Sequence, residues 1–403
     1  MEAFAYMLGK NRILSIAELA SHFHFNGIGF RVLENRQDFF IAESERPADA
    51  NALGGLIKAA EIRNVIGRKE LPGFLKHDSD MNLFFIKTDD SRLVFGVSIY
   101  PWSRKNIELH KRISLIIKKR LREEGLKAHY FNLPKDRCSL THVEVIRQEI
   151  IEKSFEIVLL ICDSRIYIGK TVGCHNPFEF QKRDVERPVV RSELSTSPRL
   201  SRILINLTGY RKGDKLIDPF CGTGTILQEA AVMGLDFYGL DLDKNMADAG
   251  RKNLYWISEK YKLNLENLHE KIKQGDARNS SDVFPNNGFD AIATEPYLGP
   301  LLKRRPDLNH AKGIIREIEP LYEAFLKEAH KILRPGGRIS IVSPRFITEK
   351  GIVRLETERL AGKSGLQPFD ILQLYKINHP HPLTDFEEGQ FLGREIHIFE
   401  KAE

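Results

Sequence analysis

Two rhythms of apolar and polar positions divide the 403-residue chain. In the N-terminal part, short apolar runs at residues 4–8, 30–33 and 39–42 read as strands, the last two as a hairpin. Ser15 with Glu18 three positions on has the form of a capping box and opens a helix to near residue 22. Residues 52–62 have helical spacing. Strands and helices in such close alternation predict a small α+β sandwich, with helices on one face of an antiparallel sheet.

A second block begins near Asn82, with strands at 83–87 and 94–99 and a long helix over 107–124. One stripe of that helix carries Ile113, Ile116, Ile117 and Leu121. The other face carries Lys111, Arg112, Lys118, Lys119, Arg120 and Arg122. Such a face is either simply solvated or a phosphate-contacting surface with salt-dependent binding. Residues 142–148 read as a short strand or helix edge. Residues 155–162 and 164–172 form a hairpin turning at Asp163, Ser164 and Arg165. Residues 175–198, rich in Pro, Ser and charge and without period, are a linker or structured arm.

From Ser197 the rhythm becomes regular. A helix opens with Pro198 at its first position. Strands then follow at 215–219, 237–242, 272–274, 289–294 and 338–343, with helices at 225–233, 244–257 and 319–333. Strict alternation of this kind predicts a doubly wound parallel α/β sheet.

Composition refines this only slightly. The length suggests two or three domains, and 42% hydrophobic with 29% charged residues is ordinary for a soluble globular protein. A net charge of +6 suits an anionic partner. Cys138, Cys162, Cys174 and Cys221 form no C-x-x-C pair, and no histidine cluster has zinc-ligand spacing, so reduced thiols and no metal are expected. There is no secretory signal stretch and no uncharged apolar run near twenty residues. A soluble, cytoplasmic protein without membrane contact is the expectation.

The chemistry gathers at strand ends in the C-terminal half. Asp218-Pro219-Phe220-Cys221-Gly222-Thr223-Gly224-Thr225 lies between the first strand of the parallel sheet and the next helix. Its glycines allow a tight turn and close approach to a ligand. Leu227 stands where a nicotinamide fingerprint needs its third glycine, and no Gly-Lys-Ser/Thr follows as a P-loop requires. Asp241, ending the second strand, can accept the hydroxyls of a ribose, and Asp243 suits a helix N-cap. Asp276 and Ala277 follow the third strand, where a carboxylate and neighbouring backbone can read an adenine. After the fourth strand come Glu295, Pro296 and Tyr297. A carboxylate and a carbonyl there can accept the protons of a poorly nucleophilic base amine, and an aromatic face can hold a flipped base.

The pairing of DPFCGTGT with a carboxylate-Pro-aromatic motif resembles the amino-methyltransferases of exocyclic base nitrogens. YMLGKNRILSIAEL, IYIGKTV, the connector with Lys182-Arg183-Asp184 and Arg187-Pro188, SPRLSRILINLTG and LYEAFLKEAHKILRPGGRISIVSP narrow the resemblance to the THUMP-domain tRNA guanosine N2-methyltransferases. That family implies a Rossmann-like class I methyltransferase domain over 198–403. Before it would come a ferredoxin-like α+β domain over 1–75, a THUMP RNA-binding domain over 76–176 and a linker over 177–197. It implies S-adenosylmethionine as cofactor, held by residues 218–225, Asp241, Asp276 and Ala277, and catalysis by Glu295, Pro296 and Tyr297. It implies tRNA as partner, position ten as leading target, and contacts through Lys118, Lys119, Arg120, Lys182 and Arg183. A small activating subunit of the kind some relatives use is compatible with it. One departure stands out: the family pattern Asp-Pro-Pro-Tyr here reads Glu295-Pro296-Tyr297-Leu298. The alternatives are methylation of another RNA or of a DNA amine, and an RNA-binding module that kept the fold without catalysis.

Overall fold

A computed structural model describes residues 1–75, 93–190, 196–386 and 389–402. The strand expected at 83–87 lies outside the described residues. The chain forms two compact units, residues 1–10, 28–51 and 56–177 in the first and 11–27, 52–55 and 178–403 in the second. Among the described residues no helix is long and apolar enough to cross a membrane.

The first unit is built on one eight-stranded sheet. Its strands are β1 (Glu2–Leu8), β2 (Phe30–Asn35), β3 (Phe40–Ser44), β4 (Leu56–Gly67), β5 (Leu93–Tyr100), β6 (Ala128–Tyr130), β7 (Glu156–Ile161) and β8 (Arg165–Cys174). They run in the order β2-β3-β1-β4-β8-β7-β5-β6. The two expected hairpins, β2–β3 and β7–β8, are both antiparallel pairs. The segments read as two N-terminal domains share this sheet, because β4 pairs with β8 from Lys58↔Cys174 to Gly67↔Arg165. The helix expected at 52–62 is therefore corrected to a strand. Its Ala-rich run has a favourable helix propensity, but β4 is hydrogen-bonded on both edges, and sheet packing overrides that propensity. Lys58, which a helix would turn to water, is buried instead and donates to Glu156 Oε1 at 2.7 Å and to the Leu140 carbonyl at 3.0 Å.

The long basic helix spans Arg104–Glu123 and is labelled α2. Ser103 caps it by accepting from the Asn106 N–H at 3.1 Å. Its apolar stripe, Ile113, Ile117 and Leu121, packs in one cluster with Phe95, Val97, Phe155 and Ile157 of the sheet. Residues His142–Arg147 are helical, with Thr141 and Glu144 forming a reciprocal capping box.

The helix that follows β1, α1 (Arg12–Phe25), belongs to the second unit. Ser15 and Glu18 do not form the expected capping box. Asn11 is at the N-cap, and Ser15 Oγ donates back to the Asn11 carbonyl at 3.0 Å. The buried Glu18 accepts instead from the Gly54 and Gly55 N–H groups and from Asn206 Nδ2, each at 2.7 Å.

Seven strands form the main path of the second unit's sheet, in the order β11-β10-β9-β12-β13-β17-β15. They are β9 (Lys215–Asp218), β10 (Asp236–Asp241), β11 (Ile272–Gln274), β12 (Phe289–Thr294), β13 (Leu333–Thr348), β15 (Leu366–Pro368) and β17 (Leu392–Lys401). Two short strands lie off this path, β14 (Gly351–Arg354) paired with β13 and β16 (Leu383–Asp385) paired with β17. Pairing from β11 to β13 is parallel, as the alternation requires. β17 is antiparallel to β13, an addition the alternating pattern did not reveal.

The longer helices of this unit after α1 are α3 (Pro177–Val185), α4 (Pro198–Leu207), α5 (Thr225–Val232), α6 (Lys244–Tyr261), α7 (Leu308–Ile332) and α8 (Thr357–Lys363), and α9 (Ile371–Leu374) is one of its single turns. The expected linker thus holds a helix, α3, whose Phe180 and Arg183 are buried. Ser197 caps α4 with Pro198 at its first position, as expected. Helix α7 begins well before residue 319, at the Asp307 cap. Pro320 lies inside it, while the buried stripe Ile314, Ile318, Tyr322, Phe325, Ala329 continues unbroken. Removing the carboxylate in Glu18→Ala leaves three buried donors unmatched. Urea unfolding should show a loss of about 3 kcal/mol, and a change below the error of that measurement would contradict the role assigned to this contact.

Candidate active site

At the carboxyl ends of β9, β10 and β12 lies a cavity of about 630 Å³, a size ordinary for a nucleoside-sized ligand. Its wall brings together Asp218, Phe220, Cys221, Gly222, Thr223, Thr225, Asp241, Glu295, Pro296 and Tyr297, so both motifs face one space. The open crevice beyond the strands' carboxyl ends is where α/β sheets bind ligands.

The glycine turn is built by two left-handed residues. Gly222 has φ +51° and Gly224 φ +81°. A Cβ on Gly224 would stand 3.3 Å from the Gly250 Cα, so this glycine lets the turn pack against α6. Gly222 is different: it lines the cavity, and a Cβ there would meet nothing within 4 Å. The turn therefore leaves room that a side chain would fill. Asp241 braces it, accepting from the Gly222 N–H at 2.8 Å and from the Asp243 N–H at 2.9 Å while lining the cavity. Asp243 is the N-cap of α6, as expected. Cys221 is buried, and burial raises its thiol well above the ordinary range, so it is a packing residue without nucleophilic character.

Asp218 accepts from Thr294 Oγ1 at 2.6 Å and from the Phe220 N–H at 3.1 Å. Burial pushes its carboxyl up to about 7. Those two hydrogen bonds work against the shift, and the nearby charges of Asp241 and Glu295 add to it.

Glu295 is the most constrained group in the cavity. Arg394 of β17 donates from Nε to both of its oxygens at 3.1 Å and from Nη2 to Oε1 at 3.0 Å. Thr196, just before α4, donates from Oγ1 to Oε2 at 2.8 Å. Burial disfavours the charge on Arg394, and the Glu295 carboxylate outweighs it, so the guanidinium is held above its ordinary value. Tyr297 lines the cavity and is 53% exposed as a residue. Its carbonyl accepts from the buried Tyr322 hydroxyl at 3.4 Å.

The remaining expected site residues are placed elsewhere. Pro219 and Gly224 shape the turn without lining the cavity. Asp276 is also outside the lining: its carboxylate caps the turn at 277–279 and pairs with Arg278, both Nε contacts being 2.9–3.0 Å. Ala277 is buried in the core of this unit. Two of the five expected RNA contacts are corrected. Arg120 is buried and donates to the Leu75 carbonyl at 2.6 Å. Arg183 is buried against Glu229, which also pairs with Arg202 at 2.7 Å. Both spend their charge inside the fold. Lys119 is largely exposed, Lys118 lies 5.6 Å from the Tyr130 ring, and Lys182 lies 5.7 Å from the Tyr261 ring. Sequence reasoning missed Thr196 and Arg394, which lie on opposite sides of Glu295 in the chain and have no local motif.

Known proteins similar to this chain are methyltransferases. The family model UPF0020, described as an RMKL-like methyltransferase domain, matches residues 190–356. A tRNA (guanine(10)-N2)-dimethyltransferase of Methanothermobacter thermautotrophicus is 28% identical over 88% of this chain and 92% of its own length. A Methanothermococcus thermolithotrophicus protein named as a probable tRNA (guanine(10)-N2)-dimethyltransferase is 31% identical over 36% of this chain and 83% of its own. The chain belongs to the tRNA (guanine-N2) methyltransferase family. The methyltransferase also shares its fold with TrmN from Thermus thermophilus, at a TM-score of 0.53 and 18% identity over the whole of both chains.

The Asp218 carboxyl gives the methyltransferase a measurable pH signature. It ionises near 7 in the folded chain against an ordinary value of 3.8. Between those values the folded state holds the extra proton, so this group's contribution to stability falls as pH rises from about 4 to 7. Guanidinium unfolding at pH 5 and pH 7.5 should show a smaller loss in Asp218→Asn than in the unmodified chain. Equal losses in the two proteins would contradict the buried-carboxyl reading.

Proposed function

We propose that this chain methylates the N2 amine of a guanosine in tRNA, with position ten as its target. The observation that carries the reading is the clamped Glu295 carboxylate, set in the same cavity as the glycine turn and Asp241. The cofactor is S-adenosylmethionine, whose sulfonium sulfur carries an electrophilic methyl group. The residues present fit it: the space at Gly222 admits close approach to the backbone, and Asp241 offers carboxylate oxygens suited to ribose hydroxyls.

The rest of the chemistry belongs to this chain's own residues. A guanine amine is a poor nucleophile because its lone pair is delocalised into the ring. Acceptors for its protons stabilise the positive charge that develops on nitrogen during attack. An ionised carboxylate offers about four acceptor directions. At Glu295 the Arg394 Nε hydrogen is shared between the two oxygens, one Nη2 hydrogen goes to Oε1 and the Thr196 hydroxyl to Oε2. An amine proton takes the place of one of the two shared Nε contacts, while the remaining bonds keep the carboxylate in position. Pro296 restricts the backbone before it to extended conformations and so orients a carbonyl as second acceptor. The ring of the exposed Tyr297 stacks on the flipped base. Once N2 has gained its methyl it loses a proton to these acceptors and then to water.

The N-terminal unit is read as ferredoxin-like and THUMP elements that dock tRNA, with the half-buried Lys118 and the exposed Lys119 of α2 among the contacts and Lys182, on α3 of the second unit, as a further one. This rests on the resemblance and on the exposure of Lys119. The protein works in the cytoplasm on this reading.

Glu295→Ala should abolish methyl transfer to tRNA while binding of S-adenosylhomocysteine persists in calorimetry. Surviving transfer would sink the acceptor role. Arg394→Ala should lower kcat about 100-fold, the cost of a loosely positioned reacting group, with KM for tRNA little changed. Arg394→Lys should recover part of the loss. A rise in KM at unchanged kcat would make Arg394 a tRNA-binding residue instead.

A further inference from the structure

A second cluster of titratable groups lies among residues that the catalytic cavity does not use. Asp370 is the N-cap of α9, and its Oδ1 accepts from the Leu372 and Gln373 N–H groups at 3.0 Å each. Its Oδ2 stands 3.2 Å from His379 Nε2. His379 Nδ1 is 3.0 Å from the Ile377 carbonyl, which can only accept, so Nδ1 carries the proton. In the neutral ring Nε2 is then a lone pair facing a carboxylate oxygen, and the His379 side chain is only 8% exposed. A cation between those two atoms, whether a proton or a metal ion, satisfies both. One ligand atom each from Asp370, His379 and His381 lie within 4.8 Å of one another.

We propose that Asp370, His379 and His381 bind a zinc-class divalent metal ion. Two imidazoles and one carboxylate are a donor set for zinc and its neighbours. The 3.2 Å between His379 and Asp370 matches two ligands on a tetrahedral zinc, about 3.3 Å apart for bonds of 2.0–2.1 Å. Each ligand is also anchored from behind, as metal ligands are. Asp370 is held by the two backbone N–H groups, His379 by the Ile377 carbonyl, and His381 by Glu358, whose Oε1 lies 2.7 Å from Nε2. That arrangement leaves His381 Nδ1 to the metal. Histidine spacing alone did not suggest the site, because Asp370 completes it from a separate helical turn. A bound ion ties α8, α9 and the segment 379–381 together. From there the chain runs through β16 to Gly389, Gln390 and Phe391, which line the cavity.

The test uses the full chain, purified without a metal-affinity tag, stripped with chelator and titrated with zinc against a chromophoric competitor. One equivalent of zinc should bind and raise the melting temperature, and cobalt(II) in its place should give visible d–d bands. His379→Gln with His381→Gln should weaken zinc affinity at least tenfold and abolish both signals. Asp370→Asn, which keeps the Oδ1 cap, should also weaken affinity at least tenfold without loss of folding by circular dichroism. The proposal is overturned if the stripped chain takes up no stoichiometric zinc, or if the double variant binds it as tightly as the unmodified chain.

Discussion

The site depends on one ion pair. Glu295 ends a buried parallel strand beside two other carboxylates, Asp218 and Asp241, in a partly apolar cavity. Left without a partner there, its charge would carry an uncompensated desolvation cost. Arg394 removes that penalty with bonds to both oxygens, and Thr196 adds a further donor to Oε2. Charge-assisted contacts of this sort fix direction as well as charge. The longer side chain of Glu, in place of the Asp of the family pattern, is thus held at its tip rather than left to wander.

That pair in turn explains the antiparallel strand at the heart of the second sheet. β17 pairs with β13 over nine positions, from Arg338↔Glu400 to Phe346↔Leu392, and this register sets Arg394 opposite Pro344. A slip of one residue would turn the guanidinium to the other face of the sheet. On the other side of the cavity the parallel strands β9 and β10 deliver the glycine turn and Asp241. The turn's two left-handed glycines have separate tasks, Gly224 packing against Gly250 and Gly222 leaving room for a ligand. Cofactor face and acceptor face therefore come from different parts of one sheet.

Much of this was legible in the sequence wherever structure is local. The alternating strands and helices after residue 197, the glycine turn, Asp241 and the 295–297 motif all follow from short-range patterns, and the cavity brings them together. Thr196 and Arg394 were not legible, because each acts on Glu295 from 99 residues away and neither sits in a recognisable motif. Residues 52–62 misled because their Ala-rich spacing favours a helix, while β1 and β8 pair with both edges of the strand they form. Ser15 and Glu18 misled in another way. The spacing of a capping box was present, but Glu18 reaches the Gly54 and Gly55 amides instead. Arg120 and Arg183 looked like parts of a basic surface, and tertiary packing turned both inward.

The most direct test of the account is to incubate purified protein with S-adenosylmethionine and unmodified tRNA and to locate the product by nucleoside and fragment mass spectrometry. N2-methylated guanosine at position ten is the predicted outcome. A methyl group on an adenine or cytosine amine, or no incorporation by a protein that still binds S-adenosylhomocysteine, would contradict it.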